Sequence, residues 1–158
     1  MRKEKGERRK EKGAIKPILI ALAFLFTACG GKTLLDEKHE LGATWNRFTP
    51  EVFDITVGNT ENYYNIDLTA TVDTARYRYS ELPVMVILKS PGGEERQFYG
   101  AVVLGGKDHA TSRLRNYFSF NSKGQHHMEI SQVTSQYDLE GVRSITLTVT
   151  KAKVDYDL

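Results

Sequence analysis

"YNIDLTATVD", residues 64–73, is the stretch whose reading decides the fold. Ile66, Leu68, Ala70 and Val72 alternate with Asn65, Asp67, Thr69 and Thr71. Successive side chains of an extended chain point to opposite faces, so this period of two fits a half-buried strand and not a helix.

The same texture continues on both sides. Upstream, Phe53, Ile55 and Val57 alternate with Asp54 and Thr56 in Glu51 to Val57. Downstream, Pro83 to Lys89 is apolar throughout (Val84, Met85, Val86, Ile87, Leu88), as expected of a strand covered on both faces. Ser90-Pro91-Gly92-Gly93 supplies a turn, because proline fixes one φ and glycine permits positive φ. Arg96 to Leu104 is then the return strand of a hairpin.

Gly105 to Ser112 reads as a loop, Leu114 to Phe120 as a strand, Asn121-Ser122-Lys123-Gly124 as a turn, and His126 to Ser131 as a strand. Gln132 to Gly141 breaks the pattern, with one short helical turn expected around Gln136. Val142 to Val154 closes the chain, with Ile145, Leu147 and Val149 alternating against Ser144, Thr146, Thr148 and Thr150. Seven to eight strands without a convincing helix predict an all-β domain, an antiparallel two-sheet β-sandwich of jelly-roll or immunoglobulin-like type.

The amino-terminal part has a different composition. Met1 to Lys16 carries eight Lys/Arg against three Glu, and Ile15 is its only large aliphatic residue. Pro17 to Ala28 is then free of charge for twelve residues. As a helix that run would reach roughly 18 Å, short of the roughly 30 Å of a bilayer core. A basic lead, a short apolar stretch and small residues before a break describe a secretory signal peptide, residues 1–28.

Cys29, the single cysteine of the 158 residues, stands directly after it in Leu25-Phe26-Thr27-Ala28-Cys29. This resembles the lipobox of bacterial lipoproteins, with Phe26 where Leu is usual. The resemblance implies alkylation of the Cys29 thiol with a diacylglyceryl group, cleavage before Cys29 and acylation of the new amino terminus with a palmitate-type chain, and two or more such chains give a stable membrane anchor. A thiol at a small-residue junction is accessible to membrane enzymes, whereas an unpaired cysteine has no disulfide role within the chain. Residues 29–43 are expected to form the lipidated cysteine and a flexible tether, with Gly30 to Glu40 either tether throughout or running into an edge strand at its end, and residues 44–158 the sandwich.

Removing the signal peptide changes the charge balance. The full chain reads +2, but Cys29 to Leu158 holds 14 Lys/Arg against 17 Asp/Glu, a net −3. The basic character belongs to the export signal, and no stripe of Lys/Arg with interleaved aromatics points to nucleic acid.

Candidate chemistry is sparse. His39, His109, His126 and His127 have no defensible spacing to Cys29 for thiol catalysis. His126 and His127 are neighbours on a strand and point to opposite faces, so they do not share a metal ion. Asp36-Glu37, Glu94-Glu95 and Asp155/Asp157 read as solvated charge, not as the spaced carboxyl pair that glycoside hydrolysis needs. Gly105-Gly106-Lys107 follows a strand without opening a helix and reads as a turn. No catalytic residue, metal or cofactor is expected. Trp45, Tyr63, Tyr64, Tyr77, Tyr79, Tyr99 and Tyr117 either fill the core and its rims or build a surface for sugar rings or a protein partner.

Tyr77-Arg78-Tyr79-Ser80-Glu81-Leu82-Pro83-Val84, Gly124 to Gln132, and Leu139-Glu140-Gly141-Val142 are similar to the gliding-motility lipoprotein family of the GldH type, as is Trp45 before the first long strand. The chain resembles a diverged member. Phe98-Tyr99-Gly100-Ala101 replaces a glycine-tryptophan-glycine stretch, and Val133-Thr134 replaces Met-Arg. The resemblance implies a non-enzymatic lipoprotein of the cell envelope that contacts other envelope proteins of a gliding and secretion apparatus. A carbohydrate-binding surface lipoprotein is the alternative. The expected location is the outer membrane, and the absence of an acidic cluster after Cys29 in Gly30-Gly31-Lys32 favours the side facing the periplasm.

Overall fold

The computed structural model describes residues 32–153, so residues 1–28, Cys29 and the carboxylates Asp155 and Asp157 lie outside it. Ten strands form: β1 (Thr33–Glu40), β2 (Thr44–Asn46), β3 (Glu51–Val57), β4 (Tyr64–Val72), β5 (Glu81–Lys89), β6 (Glu95–Val103), β7 (His109–Phe118), β8 (Gly124–Gln132), β9 (Asp138–Glu140) and β10 (Val142–Lys151). Four of them make one sheet in the order β1-β10-β4-β7, and four make a second in the order β3-β8-β5-β6. The short β2 and β9 pair as a separate ribbon. All neighbours run antiparallel.

The domain is the all-β two-sheet sandwich that the alternation predicts. Among the eight long strands in chain order, one sheet reads first-eighth-third-sixth and the other second-seventh-fourth-fifth, the order of a jelly roll. The inward faces close a single core that includes Phe53, Ile66, Leu68, Val86, Met128, Ile130 and Leu147. Residues 64–72 alternate without a break between buried and half-buried positions. Emptying a site such as Leu68 would cost about 2–5 kcal/mol.

Three expectations change. Thr33–Glu40, expected within the tether of residues 29–43, is strand β1, paired with β10 from Thr33↔Thr150 to Glu40↔Ser144, so the sandwich begins at Thr33 and not at Thr44. A register shift between Thr33 and Leu35 leaves Leu34 and Leu35 both half-buried, which erases the alternation that marks a strand in sequence. Residues 109–112, expected as loop, open β7, because His109, Ala110, Thr111 and Ser112 pair with Thr71, Ala70, Thr69 and Leu68 of β4. The helical turn around Gln136 does not form: Gln132 satisfies that loop's backbone with its side chain, as described below, and Asp138–Glu140 becomes β9.

The two seams of the sandwich differ in chemistry. Along β6 and β7, Arg96 lies 4.5 Å from the Phe118 ring centroid and Arg115 lies 4.3 Å from that of Phe98. These cations over aromatic faces cover the open edge of the core. At the opposite seam β1 meets β3 through His39, which stacks on Phe53 with centroids 4.0 Å apart.

Candidate functional site

The strand order gives the sandwich two unlike ends. At one, the chain emerges at Lys32 and leaves at residues 152–153, beside the β3–β4, β5–β6 and β7–β8 turns. At the other lie the β2–β9 ribbon and the β4–β5, β6–β7 and β8–β9 loops.

The ribbon end is built around Gln132, which is completely buried. Its Nε2 donates to the carbonyls of Trp45 (3.2 Å), Gln136 (2.9 Å) and Tyr137 (3.3 Å). Its Oε1 accepts from the backbone N–H (2.9 Å) and the hydroxyl (2.7 Å) of Thr134. One amide side chain thereby holds both approaches to the ribbon, whose Trp45↔Leu139 pair faces the core. Among the described residues no buried side-chain nitrogen or oxygen lacks a partner, as folding requires of buried polar groups.

This scaffold lifts three side chains outward. Phe48 and Tyr137 are 73% and 63% exposed, and their rings meet with centroids 5.8 Å apart. Arg47 spans both, at 5.7 and 5.6 Å. Asn46 fixes the base by donating to Asp138 Oδ1 (2.8 Å) and accepting from the Phe48 N–H (2.9 Å). Aromatic side chains backed by arginine are enriched where proteins dock.

On the same end a cleft of about 330 Å³ lies between the β4–β5 and β6–β7 loops, lined by Thr74, Tyr77, Arg78, Tyr79, Ser80 and Lys107 among others. Burial, with help from Tyr79 and Glu81, raises the Tyr77 phenol well above its ordinary range, and its hydroxyl donates to the Glu81 carbonyl at 2.8 Å. That phenol is a fixed structural donor and not an acid–base group. Arg78 and Lys107 make the rim basic, and Tyr79 packs edge-on against Tyr77.

The outer face of the β3-β8-β5-β6 sheet divides into two halves. Toward the chain-emergence end it is charged: His127 meets Asp54 at 2.6 Å, and Lys89 meets Glu129 at 2.7 Å and Glu95 at 3.8 Å. Toward the ribbon end it is apolar. Pro83 is opposite Ala101, Met85 opposite Tyr99, and Val103 and Ile87 extend the patch. Tyr99 and Val103 are 58% and 63% exposed, while Pro83, Met85 and Ile87 are half-buried. The apolar run of β5 is thus covered on its inner face by the core, and its outer face has no cover among the described residues.

Cys29, Asp155 and Asp157 lie outside the described residues, and the histidines, the Gly105-Gly106 turn and the aromatics singled out in the sequence lie within them. His126 is buried and His127 exposed, on opposite faces as their adjacency requires. His126 Nδ1 donates to the Gly124 carbonyl at 3.2 Å, and its ring packs edge-on against Phe120. His109 lies 3.3 Å from the Thr71 hydroxyl. His39 has Glu51 Oε2 at 2.7 Å from Nδ1 and Glu37 Oε1 at 2.9 Å from Nε2. Burial disfavours its charged form, but the two carboxylates outweigh that cost and raise its pKa above the ordinary 6.5. Among the described residues no three of His, Cys, Asp and Glu gather as metal ligands. Gly105 and Gly106 both take positive φ and form the turn before Lys107. Trp45, Tyr64 and Tyr77 are buried, whereas Tyr63, Tyr79, Tyr99 and Tyr117 are exposed on separate elements.

Arg47, Phe48 and Tyr137 are not singled out by sequence reasoning. Their signal is weak: aromatics in stretches without alternation, next to Pro50 and between Gln136 and Asp138.

No protein-family model matches the chain. Over 76 residues the chain is 28% identical to the gliding motility lipoprotein GldH of Flavobacterium johnsoniae. The aligned stretch covers 48% of this chain and 47% of that relative, so the chain matches about half the relative's length. This is a distant similarity to a gliding-motility lipoprotein.

Proposed function

We propose that the protein is a non-enzymatic lipoprotein of the cell envelope, held by acylated Cys29 at the outer membrane, facing the periplasm. It acts by docking other envelope proteins of a gliding-motility or secretion-type assembly. The observation that carries the docking reading is the apolar patch of Pro83, Met85, Ile87, Tyr99, Ala101 and Val103 on the outer face of a sheet. A contiguous apolar surface flanked by ion pairs is characteristic of interaction sites. The lipobox-like Leu25-Phe26-Thr27-Ala28-Cys29 supports the anchor, and the similarity to GldH supports the class of assembly.

A photo-crosslinking residue in place of Tyr99 tests the reading in intact cells. The expected result is a discrete product with an envelope protein, absent when the crosslinker replaces Thr69 on the other sheet and lost when Met85→Glu is added. Identical products from both positions would contradict it.

A glycan partner is the second reading, favoured by the cleft with Tyr79 at its rim and Arg78 and Lys107 beside it. Chemical-shift changes confined to the Tyr77–Ser80 loop on titration with cell-wall oligosaccharides would support it, and unchanged spectra would remove it.

A further inference from the structure

We infer that the chain-emergence end of the sandwich lies against the lipid headgroups, with the ribbon end pointing away from the membrane. This rests on the proposed acylation of Cys29 and specifies the surface the anchor brings to the bilayer. Because β1 begins at Thr33, little tether remains. Three residue steps from Cys29 to Lys32 span at most roughly 11 Å even when fully extended. A nine-residue strand such as β4 is roughly 30 Å long, so the anchor keeps the emergence end near the membrane, and with the strands upright the ribbon end stands roughly 30 Å away.

The residues at that end suit a membrane interface. The Lys151 N–H donates to the Lys32 carbonyl, the Ala152 N–H donates to that of Tyr63 at 2.8 Å, and Tyr64 pairs with Phe118. These bonds place Lys32, Lys151, Tyr63 and Tyr117 on one rim of the β1-β10-β4-β7 sheet. Lys32, Lys151 and Lys153 are exposed, and none forms an ion pair among the described residues. Tyr63 and Tyr117 are exposed, and aromatic rings with a polar tip favour the headgroup layer.

Tyr117 supplies an independent observation. Its φ is +49°, in the left-handed region that side chains rarely adopt, beside two register shifts between β4 and β7. Such irregularities redirect side chains, and here an aromatic ring is turned to solvent at the rim nearest the anchor. Lysines there add attraction to anionic lipid within a Debye length of the surface.

Tryptophan reporters test the orientation in the full lipidated chain, reconstituted in phosphatidylethanolamine–phosphatidylglycerol vesicles with brominated acyl chains. Tyr117→Trp and Tyr63→Trp report on the proposed membrane end, and Phe48→Trp reports on the ribbon end against the common background of buried Trp45. The expected result is loss of most of the added emission for the first two, and no quenching beyond that of the unsubstituted protein for Phe48→Trp. Equal quenching at both ends, none at either, or stronger quenching at position 48 overturns the orientation. Mass spectrometry of the same preparation reads the anchor separately: a Cys29 without acyl chains removes the anchor and this inference together, whereas an acylated Cys29 with the wrong quenching pattern removes only the inference.

Discussion

The backbone of Tyr77 occupies the space into which a side chain on Gly141 would grow: a Cβ there would lie 2.7 Å from the Tyr77 nitrogen. Gly141 also holds φ +87°, and its carbonyl accepts the Asp73 N–H at 2.7 Å. This contact locks the β4–β5 loop, which forms one wall of the cleft, against the turn that joins the ribbon to β10. Gly141→Ala combines left-handed strain with overpacking and should destabilise the fold by about 2–4 kcal/mol. Urea unfolding would show the midpoint falling at an unchanged slope, and an unchanged midpoint would mean the loop yields freely.

Gln132 serves two chain segments at once, so its loss should affect both. Gln132→Leu keeps the volume but leaves the carbonyls of Trp45, Gln136 and Tyr137 and the Thr134 donors without that partner. Buried groups left unpaired cost about 1–3 kcal/mol each, partly recovered by water at the loop. A net loss of about 3 kcal/mol is expected, together with faster amide exchange over residues 133–139. Exchange unchanged there would show that the ribbon does not depend on this amide.

His39 gives the β1–β3 seam a pH dependence. Burial works against its charge, but hydrogen bonds to Glu37 and Glu51 raise its folded-state pKa above the ordinary 6.5. A group whose pKa is raised on folding contributes its full stabilisation below the unfolded value and loses it as pH rises through the folded one. The urea midpoint should therefore fall as pH climbs from below 6.5 to above the raised value, and His39→Gln should flatten that fall. Equal slopes in the two proteins would place the pH dependence elsewhere.

Tyr99 and Met85 separate docking from folding. Both point out of the sheet, so Tyr99→Glu should change stability by less than about 0.5 kcal/mol, as exposed substitutions usually do. On the docking proposal, association with an envelope partner should weaken at least tenfold, the effect of about 1.4 kcal/mol at an interface. Gliding or secretion phenotypes that match wild type with Tyr99→Glu would argue against this face.

The core strands were legible because their chemistry alternates in step with their geometry. Residues 64–72 and 142–151 each carry small hydroxyl-bearing or polar side chains on one face and aliphatic ones on the other, and both form strands close to the predicted bounds. The full extent of β1 and the ribbon were not legible for the opposite reason. Strand β1 is mostly solvated and carries a register shift, so Leu34-Leu35 followed by charged residues looks like linker. The ribbon strands β2 and β9 have three residues each, too few to show any period, and the contacts that hold them, the Gln132 amide and the buried Trp45↔Leu139 pair, join residues distant in sequence. For the same reason the Arg47, Phe48 and Tyr137 cluster emerges only once the chain is folded. The pairing of apolar positions on the outer face of β5 and β6 likewise depends on register: the uninterrupted apolar run of Pro83 to Leu88 predicts cover on both faces, whereas among the described residues only the inner face is covered.

Acylation of Cys29 is the claim on which the membrane orientation and the docking geometry both depend, and fatty-acid labelling in growing cells tests it most directly. Wild-type protein should incorporate labelled palmitate and migrate at the processed size, while Cys29→Ser should remain unlabelled and uncut. Labelling of Cys29→Ser equal to wild type, or a wild-type protein that carries no label, would contradict the lipid anchor.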